Sequence, residues 1–127
     1  MKLLLDTHTF LWFIEDNPLL SADAKNLLES DVDLLISAAS LWEIAIKISI
    51  GKLKLTQPFD AFISDQLTKN AIDLLPIAVP HLALVSTLPF RNRDPFDRLL
   101  VAQAIIEQIP IVSIDDIFDM YGANRMW

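Results

Sequence analysis

The chain has no cysteine and only two glycines, Gly51 and Gly122, among 127 residues. The first absence rules out disulfides, thiolate metal sites and a cysteine nucleophile, and it fits a reducing compartment. The second leaves no glycine-rich loop to cradle phosphate, which excludes nucleotide-binding Rossmann and P-loop designs. A serine nucleophile on a glycine-flanked elbow is excluded on the same ground. Long clean apolar runs are missing too. Leu74 to Phe90 comes nearest, but it contains Pro76, Pro80, His81 and Pro89 and falls short of the roughly 20 residues a spanning helix needs. Met1-Lys2-Leu3-Leu4-Leu5 is like the start of a secretory leader, yet Asp6 cuts the apolar run after three leucines, which argues against export. The expectation is a cytoplasmic chain with no membrane segment.

Basic residues are also few: ten Lys and Arg against seventeen Asp and Glu, a net charge of −7. Taken alone, that balance argues against a nucleic-acid binder, which usually carries a basic footprint. The distribution matters more than the sum. Lys47, Lys52 and Lys54 form one basic run and Arg91, Arg93 and Arg98 another, and both lie beside acids. Acidic side chains gathered around a cation lower the net charge without repelling phosphate once the ion is bound. Hydrophobic residues make up 53% of the chain, rich for a single domain spanning residues 1–127, so part of the apolar surface is expected at a protein interface.

Periodicity and punctuation place the elements. Lys2 to Leu5 reads as a buried strand and Thr7 to Ile14 as a helix. Ser21 caps a helix to about Ser30, Asp33 to Ser37 is a strand, and Ala38 to Ile50 is a helix stopped by Gly51. Phe59 to Lys69 is a helix, Ile72 to Leu75 a strand, and Pro80 to Leu88 a short helix. Asp94 as cap and Pro95 in the first turn open a long helix to about Gln108. Ile109 to Ile114 reads as a strand, Asp116 to Tyr121 as a short helix ended by Gly122, and Ala123 to Trp127 as an edge strand. Alternating strands and helices predict a parallel sheet covered on both faces, with ligands at the carboxyl ends of its strands.

Four acids fall at such positions. Asp6 ends the first strand, Glu43 lies on the helix after the second, Asp97 is in the first turn of the long helix, and Asp115 ends a strand. Two carboxylates about 4 Å apart repel by roughly 1 kcal/mol in water and several times more in a partly dry cleft. A cation relieves this, and oxygen-only ligands favour magnesium or manganese. Each acid also has a plainer reading. Asp6 can cap the next helix, Glu43 can pair with Lys47 at i,i+4, Asp94 is better explained as a cap, Asp97 suits the helix dipole, and either Asp115 or Asp116 can cap the terminal helix. Only their joint placement rises above chance. His8 and His81 lack metal-ligand spacing and read as surface or capping groups.

Leu4-Leu5-Asp6-Thr7-His8, Ser40-Leu41-Trp42-Glu43-Ile44, the run from Asp94 to Ala104 (DPFDRLLVAQA) and Val112-Ser113-Ile114-Asp115 resemble, in order, four motifs of the PIN-domain family. The third has the form found in a subgroup of VapC-like toxins of toxin–antitoxin pairs. The resemblance implies an α/β fold, a PIN-like three-layer α/β/α domain with a central parallel sheet of four or five strands. It implies an endoribonuclease that cleaves single-stranded or loop RNA with Mg2+ or Mn2+, using Asp6, Glu43, Asp97 and Asp115 as catalytic, metal-holding acids. Asp6 and Asp97 are the leading ligands. Thr7, Asp94 and Asp116 are auxiliary, and Ser113 departs from the threonine common in the fourth motif. Arg91, Arg93 and Arg98 would steady RNA phosphates, or instead form a salt-bridged surface loop. Implied partners are a small antitoxin and a second copy in a homodimer, with Trp12, Phe13 and Trp42 as candidate interface aromatics. The alternatives are a catalytically silent PIN-like protein-binding module and an acidic phosphotransfer domain of the response-regulator kind.

Overall fold

Leu3, Leu4 and Leu5 of strand β1 (Lys2–Leu5) are all inaccessible to solvent, which demands cover on both faces of the sheet. The computed structural model, which describes residues 1–127, shows how that cover is built. Around β1 stand β2 (Asp33–Ser37), β3 (Ile72–Leu75), β4 (Ile111–Val112) and β5 (Arg125–Met126), in the order β3-β2-β1-β4-β5 with every pairing parallel. The helices are α1 (Thr7–Glu15), α2 (Ala22–Leu28), α3 (Ala38–Ser49), α4 (Phe59–Lys69), α5 (Val79–Val85) and α6 (Pro95–Glu107), with a 3-10 helix at Asp116–Tyr121.

Because side chains alternate along a strand, β1 feeds two cores. Leu3 and Leu5 point into one with Phe10 of α1, Ala24 and Leu28 of α2, Ile44 of α3 and Ile63 of α4. Leu4 points into the other with Leu100, Val101 and Ala104 of α6 and Phe118 of the 3-10 helix. The result is the three-layer α/β/α architecture with a five-stranded parallel sheet.

Local chemistry explains most boundaries. Ser21 accepts from the Ala24 N–H at 3.0 Å to start α2, and Asp94 accepts from the Phe96 N–H at 2.8 Å to start α6, with Pro95 in its first turn. Gly51 and Gly122 have positive φ, each just past a helix end, where a side chain would be strained. One expectation needs correction. The strand expected over Ile109 to Ile114 pairs only at Ile111–Val112. Gln108 is left-handed at φ 56° and the Ile109 N–H donates back to Ala104 O at 3.1 Å, so Ile109 closes the end of α6. The other end is diverted at Ser113, whose hydroxyl accepts from the Asp115 N–H at 2.9 Å. The last strand is likewise confined to Arg125–Met126, while the short helix expected over Asp116 to Tyr121 is present as a 3-10 helix ended by Gly122.

A buried polar tie joins the layers. Gln103 of α6 accepts from the Ser37 hydroxyl and donates through Nε2 to Pro76 O at 3.3 Å, while Ser37 Oγ also caps α3 by accepting from the Ala39 N–H at 3.0 Å. Replacing Gln103 strands both partners away from water, so Gln103→Leu should lower unfolding free energy by about 1–3 kcal/mol. Urea denaturation checks this; an unchanged midpoint would mean that the tie adds nothing.

Candidate active site

The strand order reverses direction at β1: the chain moves from β1 to β2 on one side and returns to β4 on the other. In open parallel sheets that switch point leaves a crevice beyond the carboxyl ends of the strands. Here the crevice is a pocket of about 380 Å3 lined by Asp6, Thr7, His8, Trp12, Glu43, Asp94, Asp97, Leu100, Ile114 and Asp115. Asp6, Glu43, Asp97 and Asp115, acids from four separate segments of the chain, therefore share one wall, with Asp94 beside them. Asp116 does not line it and points to solvent.

Each carboxylate is held differently. Asp6 is only 7% exposed. Its Oδ1 accepts from the Thr9 N–H at 2.8 Å and its Oδ2 from the Ser113 hydroxyl at 2.5 Å. It thus caps α1 while lining the pocket, so the cap and a place in the pocket are compatible in one residue. The same duality applies to Asp94, the cap of α6, and to Asp115, whose Oδ1 accepts from the Ile117 N–H at 3.0 Å. Glu43 accepts from the Thr7 hydroxyl at 2.6 Å through Oε1 and pairs with Lys47 Nζ at 3.5 Å through Oε2.

Asp97 is the least compensated. Its side-chain donor is the Asn92 amide, Nδ2 to Oδ2 at 3.1 Å. Burial, followed by the charges of Asp94, Asp115, Glu43 and Asp6, pushes its pKa up to about 7. Burial makes the larger contribution to that shift and the surrounding acids add to it, a combination typical of functional clefts. A hard divalent cation fits this donor set, because every lining acid offers oxygen and Mg2+ binds through few carboxylates while keeping several waters. The acids ring the pocket without three of them converging as a ready-made ligand cage, which suits a hydrated ion better than a stripped one.

Three residues of the site escaped sequence reasoning as contributors. Ser113 joins Asp6 to the turn at Asp115. Asn92 holds Asp97 and is in turn held by Tyr121, whose hydroxyl donates to Asn92 Oδ1 at 2.6 Å. The only advance signal was the position of Ser113 within a motif. His8 stands on the pocket wall and stacks near Trp12, ring centroids 5.6 Å apart. His81 caps α5, its Nδ1 accepting from the Ala78 N–H at 3.0 Å, but it is buried rather than at the surface. Arg98 requires a correction. It was expected to meet RNA phosphates with Arg91 and Arg93, yet it is 5% exposed, and its guanidinium donates to the carbonyls of Pro89, Val85 and Leu88 and to the Tyr121 hydroxyl. Five fixed donors make arginine the residue for satisfying several converging carbonyls. Arg91 and Arg93 are exposed.

The chain is thus an α/β protein whose parallel sheet gathers acids at the carboxyl edge, at its switch point. The PIN domain matches residues 3–124, and the chain belongs to the PIN-domain family. It is 36% identical over 70 residues to ribonuclease VapC16 of Mycobacterium tuberculosis, a match covering 51% of this chain and 48% of that protein. The matched stretch thus spans about half the length of that curated relative. The fold is shared with a chain of VapBC2 from Rickettsia felis bound to a promoter DNA fragment, at TM-score 0.74 and 16% identity over 99% of this chain and 98% of that one. It is shared also with DNA-bound VapBC from Salmonella typhimurium, at TM-score 0.70 and 17% identity over 100% and 97%. No helix is long and apolar enough to cross a membrane.

Folding raises the Asp97 pKa above its unfolded value, so the folded state loses stability as pH climbs from about 4 to about 7 and this carboxyl ionises among its neighbours. In chelator, Asp97→Asn should therefore have a higher Tm than the parent at about pH 8, with the gain closing toward about pH 4. A gain independent of pH would show that ionisation of Asp97 is not its source.

Proposed function

We propose that this protein is a divalent-metal-dependent endoribonuclease that hydrolyses phosphodiester bonds in single-stranded or loop RNA, working as the toxin of a toxin–antitoxin pair in the cytoplasm. The observation that carries this reading is the set of four acids from separate segments facing one pocket, where burial first and the neighbouring acids second raise the pKa of Asp97 to about 7. Helix capping accounts for Asp6, Asp94 and Asp115 but not for Asp97, whose ionised form a bound cation would favour. The ribonuclease name of the relative in Mycobacterium tuberculosis supports the same reading.

In the proposed chemistry Asp6 and Asp97 would be the principal residues to hold Mg2+ or Mn2+, and Glu43 and Asp115 would assist them. A cation bound there supplies Lewis acidity, activating a water and neutralising charge on the phosphate. The chain's own groups set the geometry. Ser113 and the Thr9 N–H leave Asp6 one orientation, and Thr7 with Lys47 fixes Glu43. Asp94 holds the first turn of α6, which carries Asp97. The oxygen of a water bonds to phosphorus as the water gives up a proton, the bond from phosphorus to one ribose oxygen breaks, and that oxygen takes up a proton in exchange, leaving a phosphate monoester and a free hydroxyl. Arg91 and Arg93 supply positive charge for the RNA backbone.

The partner reading belongs to the same proposal. The named VapBC structures support a small antitoxin partner, and the exposed Trp42, packed edge-on against Phe96 at 5.3 Å, is a candidate anchor for it. The apolar excess leaves room for a homodimer of single-domain subunits as well.

Asp6→Asn and Asp97→Asn should each lower metal-dependent RNA cleavage by at least about 100-fold, the loss that follows removal of a preorganised charge from a catalytic site, with far-UV circular dichroism unchanged. Excess chelator should abolish cleavage by the parent. Full cleavage by either variant, or in chelator, would overturn the metal-dependent mechanism, whereas no cleavage by the parent with Mg2+ or Mn2+ present would leave the silent protein-binding module as the better account.

A further inference from the structure

The loop that delivers the chain to α6 has a feature the acidic pocket does not use. Phe90, Arg91, Asn92 and Arg93 line a shallow depression of their own, joined to the pocket by Asn92 through its bond to Asp97. Phe90 is 81% exposed, the most exposed large apolar side chain on the protein. Its ring is nonetheless anchored: the Arg98 guanidinium carbon lies 4.1 Å from the ring centroid. Since Arg98 is locked by bonds to three carbonyls and Tyr121, the ring rests on a fixed cation. The backbone beside it is fixed too, because the Arg91 and Asn92 N–H groups both donate to the Tyr121 hydroxyl at 3.2 Å. Arg91 and Arg93, exposed beside the ring, take part in none of the protein's salt bridges.

We propose that Phe90 is a stacking platform for one unpaired base of a single-stranded RNA, with Arg91 and Arg93 holding the phosphates on either side of it. The proposal rests on the ribonuclease reading above and adds a subsite to it. An aromatic face flanked by cations is how proteins grip single strands without reading their sequence. A duplex cannot use it, because its bases are already stacked and paired. A protein partner is a poorer fit, since the centre of a protein interface is depleted of charge, whereas Phe90 is followed by two unpaired arginines within three residues. A platform held by Arg98 and Tyr121 before binding also reduces the ordering lost when the strand arrives.

The test uses the full chain carrying Asp6→Asn, so that RNA is held and not cut, with fluorescence anisotropy of a labelled single-stranded RNA of roughly ten nucleotides. Adding Phe90→Ala should weaken binding about 10-fold or more, the usual consequence of losing one base–aromatic stack. Phe90→Leu should match the alanine variant, and Phe90→Trp should bind as well as phenylalanine or better. Arg91→Ala and Arg93→Ala should each flatten the plot of log affinity against log salt by about 0.7. RNA binding by the alanine and leucine variants as tight as that of the chain that keeps Phe90 overturns the proposal. So does a loss confined to antitoxin binding, which would make the ring a protein anchor. If the parent cuts RNA while Phe90 proves indifferent, the platform alone is refuted. If the parent cuts no RNA and the Asp6→Asn chain binds none, the ribonuclease reading fails and the platform falls with it.

Discussion

Carboxylates crowded into one half-dry pocket are the constraint to which the surrounding structure answers. Like charges drawn near one another out of bulk water repel, and a small domain has only about 5–15 kcal/mol of stability to set against that. The fold offsets that repulsion locally. Asp6, Asp94 and Asp115 each sit at the start of a helix and accept backbone N–H groups there, where unsatisfied donors and the helix dipole favour negative charge. Glu43 is held by a hydroxyl and a lysine. Asp97, in the first turn of α6 but with only an amide on its carboxyl, receives the least compensation and carries the raised pKa.

This arrangement is a consequence of topology. In a parallel sheet every strand ends at the same edge, and every following helix begins there, so acids that cap helices after different strands are delivered to one place. Helix capping and site assembly therefore use the same residues. The polar tie through Gln103 and Ser37 extends the economy: it fixes the start of α3, which carries Glu43, against α6, which carries Asp97. On the opposite flank, the Tyr121 hydroxyl links the buried Arg98 to Asn92 and so to Asp97. The 3-10 helix thereby reaches the pocket without contributing an acid to it beyond its cap.

Elements with strong local signals were legible in advance. Three clean leucines before an acid, serine and aspartate caps, and a proline in a first turn marked β1, α2 and α6 to within a residue or two. The register of β4 was not legible, because its apolar run continues from the end of α6 and only the left-handed turn at Gln108 separates them. Arg98 was misjudged because a local pattern gives charge but not exposure. Its burial follows from the carbonyls of Val85, Leu88 and Pro89, which only the path of the preceding loop brings together.

By itself the sequence determined the elements, the parallel three-layer class and which acids end strands or open helices, since periodicity, caps and breakers act over a few residues. Only the tertiary structure decided that those acids share one pocket and that Asp115 rather than Asp116 lines it. It alone decided that Ser113, Asn92 and Tyr121 support them, and that Phe90 stands in water above a buried guanidinium. Such facts depend on which distant segments are packed side by side, and a hydrogen bond between residues 107 positions apart, such as Ser113 to Asp6, leaves no periodic trace in the chain.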